Sequence, residues 1–192
     1  MQEDQLVNEL RDQSDDAFRY LVDSFKNKVF NTCLNFVQNK QDAEDLTQDV
    51  FVEVHKSIMK FRGESSLSTW IYKIAVNKSL EHIRKQRRKK RFGFLIELTG
   101  FGKSAEADES VTFDHPGIEF ENKERAQILF QAIGELSEQQ RTAFTLCEIE
   151  GLSYKEISSI METSLSSVES LIFRAKQNLR KKLHDLYETQ SI

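Results

Sequence analysis

Apolar residues recur at helical spacing over most of this chain, almost uninterrupted by proline, and that pattern restricts it to a helical fold. Between residues 14 and 39 (SDDAFRYLVDSFKNKVFNTCLNFVQN), apolar side chains fall at Phe18, Leu21, Val22, Phe25, Val29, Phe30, Cys33, Leu34 and Val37. This spacing predicts an amphipathic helix with a wide apolar face. Residues 42–60 repeat the pattern with Ala43, Leu46, Val50, Val54 and Ile58, and residues 68–91 with Trp70, Ile71, Ile74, Ala75, Ser79 and Ile83. One Pro and seven Gly are too few for the many tight turns of a β-sandwich or barrel.

From residue 92 to about 120 the period fails, and Gly93, Gly100, Gly102, Pro116 and Gly117 cluster there. We read this stretch as a linker whose apolar start (FGFLIELTGF) packs on a domain or partner, being too short to cross a bilayer. The expected fold class is all-α, with two small helical domains (1–91 and 121–192) joined by a flexible linker (92–120). In the second domain, Ser137–Gln140 and Ser153–Glu156 have capping-box spacing, so each opens a helix. A short helix (Tyr154 to Met161), a tight turn (Glu162 to Ser164) and a longer helix to about Tyr187 follow. The last carries an inner stripe of Val168, Leu171, Ile172, Ala175, Leu179 and Leu183. That is a helix-turn-helix pattern, whose second helix fits the major groove. A structural helical hairpin shares the pattern.

The formal net charge of -4 conceals segregation: residues 1–60 sum to -5, 61–91 to +8, 92–125 to -5 and 126–192 to -2. Seven of eight residues in Arg84–Arg91 (RKQRRKKR) are basic, and Arg174–Lys182 (RAKQNLRKK) has five cations and no acid. Two separate basic runs suit two nucleic-acid contacts, although cations also favour helix C-termini. The recognition helix turns Glu169, Ser170, Phe173, Arg174 and Gln177 away from its apolar stripe. Phe173 there suits a thymine methyl, and Arg174, Lys176, Arg180, Lys181 and Lys182 suit phosphates.

Two stretches carry a family resemblance. Residues 41–90 (QDAEDLTQDVFVEVHKSIMKFRGESSLSTWIYKIAVNKSLEHIRKQRRKK) resemble region 2 of a sigma-70 family RNA polymerase sigma factor of the extracytoplasmic-function (ECF) group. Residues 136–183 (LSEQQRTAFTLCEIEGLSYKEISSIMETSLSSVESLIFRAKQNLRKKL) resemble region 4 of the same family. The resemblance implies an alternative sigma factor that binds core polymerase and directs promoter-specific initiation in the cytoplasm.

It further implies that Asp45, Gln48, Asp49 and Glu53, on one helix face, contact the β′ clamp helices, with the β flap a further contact on the polymerase. The loop Phe61, Arg62, Gly63, Glu64, Ser65, Ser66 and Leu67 would capture a flipped base of the minus-ten element. Asn77, Arg84, Arg87 and Arg88 would contact the adjacent DNA, although Asn77 equally suits a plain helix surface. Trp70 is expected in the core rather than as a melting wedge. Ser166, Ser167, Glu169, Ser170, Phe173, Arg174, Lys176 and Gln177 would face the minus-thirty-five duplex. Glu169 stands where the family often has a basic residue; it would accept from cytosine or close a capping box with Ser166. An anti-sigma factor is an implied partner, and the acidic stretch Glu106–Asp114 would mimic nucleic acid.

Cys33 and Cys147 lie far apart and are read as reduced core residues. The N-terminus lacks the pattern of a secretory signal, and no apolar run is long enough to insert in a membrane. His55, His82, His115 and His184 are scattered, with no CxxC, HExxH or phosphate-loop motif. No metal, cofactor or enzymatic activity is expected. A stand-alone duplex-binding regulator and an RNA- or protein-binding module are the competing readings; only the sigma-factor reading uses the acidic face and the FRGESS loop together.

Overall fold

The computed structural model describes the backbone of residues 2–98 and 123–190, and the side chains of residues 2–89 and 128–184. The helices are α1 (Glu3–Arg11), α2 (Asp15–Val37), α3 (Lys40–Ser57), α4 (Leu67–Leu98), α5 (Lys123–Gly134), α6 (Glu138–Phe144), α7 (Tyr154–Met161) and α8 (Leu165–Gln190). No strand occurs among the described residues. The proposed linker beyond Leu98, including Glu106–Asp114, lies outside them.

The front lobe is α1 to α4. Ser14 caps α2 by accepting from the Ala17 amide at 3.3 Å, and Asn39 caps α3 by accepting from Asp42 at 2.9 Å. All five residues of the α3 stripe are buried, against Leu21, Val29 and Cys33 of α2 and Ile71 and Ala75 of α4. Burial pushes the Cys33 thiol up to about 11, so it stays a protonated apolar side chain at neutral pH. Cys147, expected in the core, is half-buried and packs against a core cluster from its edge.

Three features depart from expectation. Helix α1 was not anticipated; Leu6, Val7 and Leu10 bury it on the bundle. Helix α4 runs to Leu98, beyond the end expected at 91. Gly93 costs a helix only about 1 kcal/mol relative to Ala and does not by itself end one. Most important, α4 has a second apolar face. Tyr72 and Val76 are buried, with Leu80 and Ile83 beside them, against Leu146, Ile157, Ile160, Val168 and Ile172 of the rear lobe. Phe36 of α2 joins this cluster. The two helical domains therefore meet along a packed seam.

The rear lobe is α5 to α8. Ser137 caps α6, and Ser153 and Glu156 form the reciprocal capping box at the start of α7. Between α6 and α7 the chain widens into a π-turn over Thr145–Ile149. It is followed by Glu150, whose Oε1 accepts from Asn35 Nδ2 at 3.1 Å across the seam. Burial raises the Glu150 carboxyl above its ordinary range, while hydrogen bonds from Asn35, Thr32 and Tyr72 pull it back.

A raised folded value means that the closed fold binds this proton more tightly than the open chain does. Its contribution is full below the ordinary glutamate value and is lost as pH rises through the folded one. Other carboxylates titrate oppositely, Glu138, Glu148, Glu156 and Glu162 all being held low. The expected result is therefore a difference: Glu150→Gln matches wild type in thermal stability at acid pH and exceeds it at neutral pH. A gap that does not widen with pH contradicts the placement of this carboxyl.

Candidate nucleic-acid and polymerase interface

On α3, the side opposite the buried stripe is acidic. Asp45, Gln48 and Asp49 are exposed, with no hydrogen bond or ion pair among the described residues. Glu53 differs: Lys78 of α4 lies 3.5 Å away and ties it to the front lobe's own surface. Three of the four residues thus form a free face, with Glu53 at its paired edge.

The loop from Phe61 to Leu67 is pinned at both ends. Phe61 is buried against Trp70, ring centroids 5.2 Å apart, and its carbonyl accepts from Arg11 Nη2 at 2.7 Å. Leu67 is buried, and its amide donates to Glu3 Oε1 at 2.9 Å. Helix α1, unforeseen from sequence, is what holds the loop.

Between the anchors, Arg62, Gly63 and Glu64 are exposed, and Arg62 lies 3.9 Å from Glu64. Gly63 has φ +72°, the left-handed region that favours glycine, with open space where a Cβ would stand. Ser66 accepts from the Thr69 amide at 3.1 Å and so caps α4. Part of the loop borders a cleft of about 270 Å³ lined by Lys60, Phe61, Arg62, Glu64, Ser65 and Trp70, among others. Trp70 is half-buried: it packs on the core and also walls the cleft. Leu67 is an anchor rather than a lining residue, because its side chain faces the core.

Along α4, Asn77 and Arg84 are exposed and border a second cleft, of about 230 Å³, between the lobes. Arg84 is not free. Its Nε donates to Glu138 at 3.0 Å and its Nη2 to the other carboxylate oxygen. That pairing lifts the guanidinium further and holds Glu138 below the usual carboxylate range. Arg87 and Arg88 are exposed, and Arg88 also donates to the Arg84 carbonyl at 3.3 Å.

In the rear lobe, α7 and α8 form the helix-turn-helix, with Glu162 at φ +52° in the turn. Ser164, not Ser166, caps α8: its Oγ accepts from the Ser167 amide at 3.2 Å. Glu169 is exposed and makes no hydrogen bond or ion pair among the described residues, so the capping box expected with Ser166 does not form. Ser164, three residues ahead of Ser167, is thus the side chain that takes a first-turn amide of this helix. Ser166, Ser170, Arg174 and Gln177 are exposed, and Phe173 is 61% exposed. Ser167 is half-buried at the cap. Lys176 is engaged by Glu148 at 2.8 Å, and Lys182 by Glu135. Among the described residues no group of His, Cys, Asp and Glu could hold a metal ion, and no helix is long and apolar enough to cross a membrane.

Comparison with known proteins places this architecture. Residues 21–89 match the family model for sigma-70 region 2, and residues 126–179 the model for sigma-70 region 4. The chain is 33% identical over 192 residues to the RNA polymerase sigma-H factor of Pseudomonas aeruginosa, covering 96% of this chain and 95% of that one. It is 36% identical over 186 residues to the ECF RNA polymerase sigma-E factor of Haemophilus influenzae, covering 94% and 95%. Among solved structures, CnrH in complex with the cytosolic domain of CnrY superposes with a TM-score of 0.68 at 20% identity, covering 95% of this chain and 97% of that one. The sigma factor RpoE in complex with the anti-sigma factor NepR, from Bartonella quintana, gives 0.62 at 21%, covering 87% and 96%. With both characteristic regions present in order and relatives matched along nearly their whole length, the chain belongs to the sigma-70 family of RNA polymerase sigma factors, in its extracytoplasmic-function group.

Proposed function

We propose that this chain is an alternative sigma factor that docks on core RNA polymerase through the acidic face of α3 and engages a promoter with both lobes. The observation that carries the assignment of surfaces is their separation: a free carboxylate face on α3, a pinned loop and cleft at the head of α4, and an exposed polar and aromatic face on α8. Asp45, Gln48 and Asp49 meet the clamp helices of β′, with Glu53 at the edge, and the polymerase's β flap is a further contact. Arg62, Gly63, Glu64, Ser65 and Ser66 present donors and acceptors to an extruded base, with the Phe61 and Trp70 rings as walls. Asn77, Arg84, Arg87 and Arg88 follow the adjoining DNA, the arginines through phosphates. Ser166, Ser167, Glu169, Ser170, Phe173, Arg174, Lys176 and Gln177 face the upstream duplex, where Lys176 must exchange Glu148 for a phosphate.

No covalent chemistry is asked of the chain. Extruding a base costs about a few kcal/mol. Contacts made only to the open strand offset that cost and shift the equilibrium from closed to open duplex. An anti-sigma factor is the expected regulator, as one binds the structurally similar RpoE, and the site of action is the cytoplasm, where polymerase and promoter meet. Run-off transcription with purified core tests the proposal. Promoter-specific initiation that requires this chain supports it; binding to duplex without core, and no initiation with it, favours a stand-alone regulator.

With no cap to hold it, Glu169 is available to a base edge and accepts from cytosine N4. Glu169→Arg is expected to change the preferred upstream element towards guanine in a randomised-promoter selection. An unchanged preference removes Glu169 from the readout.

A further inference from the structure

Three guanidiniums, those of Arg84, Arg87 and Arg141, act on one carboxylate, Glu138. Glu138 is forked on Arg84, whose Nε lies 3.0 Å away, and that pair is neutral. Glu81 is a further acid, and it acts on Arg84. Arg87 is exposed and makes no hydrogen bond or ion pair among the described residues. Arg141 is the unusual member. It is 4% exposed, and its Nε and Nη2 are buried with no hydrogen-bond partner among the described residues. Burial and the neighbouring Arg87 charge both push its guanidinium below the ordinary range, with Glu138 offsetting them in part. Arginine does not give up its proton in a protein, so the charge stays and its burial costs the fold. Native structures meet such a group with a protein partner, a water or a bound ion. On either side of Arg141, Glu138 and Thr142 line a cleft of about 230 Å³, which Arg84 and Gln139 line as well. Gln139 is exposed, and its side chain has no hydrogen bond among the described residues.

We propose that Arg87 and Arg141 form a site for a phosphate dianion, free or at the end of a small phosphorylated molecule, with Gln139 as a further donor. Charge selects the ligand. Two guanidiniums without a counter-ion match a dianion, and their planar forks fit phosphate oxygens. A phosphodiester of a nucleic acid carries one charge and a sugar on each side, so it does not reach a buried guanidinium as a terminal phosphate does. Glu138 stays on Arg84 and does not meet the ligand as a bare carboxylate. The site goes beyond the promoter reading: Arg87 is shared with the surface proposed for DNA, and Arg141 is not.

Inorganic phosphate titrated into the full-length chain at about pH 8, above the second ionisation of a phosphate, tests the site, with chloride at matched ionic strength as the reference. Calorimetry is expected to show one saturable site per chain, and phosphate to raise the melting temperature where chloride does not. Arg87→Gln and Arg141→Met are each expected to weaken phosphate binding about tenfold or more, the loss that follows removal of a charged hydrogen-bond donor. Arg19→Gln, which removes the same charge from an exposed position on α2, is expected to bind as wild type. Arg87→Gln, also at an exposed position, carries the comparison if Arg141→Met does not fold. Equal responses to phosphate and chloride overturn the proposal, and so does phosphate binding that Arg87→Gln leaves intact. A 5′-nucleoside monophosphate separates the sources: tighter binding than phosphate supports a phosphorylated molecule, and equal or weaker binding supports the free ion. A single strand without terminal phosphates is the remaining arm. Its affinity is expected to be the same for wild type and Arg141→Met; a loss there, with phosphate binding unchanged, assigns Arg141 to nucleic acid and overturns the proposal.

Discussion

Reversing two charges, Asp45→Lys with Asp49→Lys, is expected to weaken binding to core polymerase by about a hundredfold while leaving helix content and melting temperature unchanged. Both side chains are exposed and unpaired among the described residues, so the fold loses nothing with them. Each reversal replaces an attraction across the interface with a repulsion, and a close charge pair at an interface couples by roughly 1.5 kcal/mol or more. Two such losses multiply to the stated factor. Glu53 is the instructive contrast. Its reversal also breaks the contact with Lys78, so a loss of affinity there mixes docking with local rearrangement of α4. Competition against a labelled wild-type chain for core measures the effect, and retention of full affinity by the double variant removes the acidic face from the docking surface.

The second large effect is structural. Phe36→Ala is expected to cost about 3–5 kcal/mol in chemical denaturation, the usual range for deleting a fully buried aromatic ring. Phe36 is 1% exposed and belongs to the cluster that joins Tyr72 and Val76 of the front lobe to Leu146, Ile157 and Val168 of the rear. Its loss therefore leaves a void where the lobes meet, and scattering should report expansion together with the fall in stability. A cost below about 1 kcal/mol with unchanged dimensions contradicts the seam described here.

What the sequence revealed follows from what periodicity encodes. The stripe Ala43, Leu46, Val50, Val54 and Ile58 is spaced so that one helix face must be covered, and all five are buried. The Ser153–Glu156 box is a local hydrogen-bond pattern and forms as spelled. Tyr72, Val76, Leu80 and Ile83 were equally visible as apolar residues, but spacing says that a face is covered and not by what. Their partners lie in the rear lobe, and the Asn35–Glu150 hydrogen bond spans 115 positions. No local signal reaches that far.

The same limit applies within the site. The motif FRGESSL marked a loop, yet its ends are pinned by Arg11 and Glu3 of α1, a helix whose three apolar residues are a short signal beside the long stripes that follow. The cap of α8 shows a different failure. Ser164, Ser166 and Ser167 are all eligible by chemistry, and only the turn left by Glu162 selects the first. Glu138 and Glu162 carry no local signal either, because their partners Arg84 and Lys73 lie 54 and 89 positions away.

The central claim is that one chain holds polymerase and promoter at the same time. Gel filtration of the purified chain with core polymerase and a labelled promoter fragment, without any anti-sigma factor, tests it most directly. The account predicts that all three elute as a single complex; a chain that elutes apart from core, with or without the DNA, contradicts it.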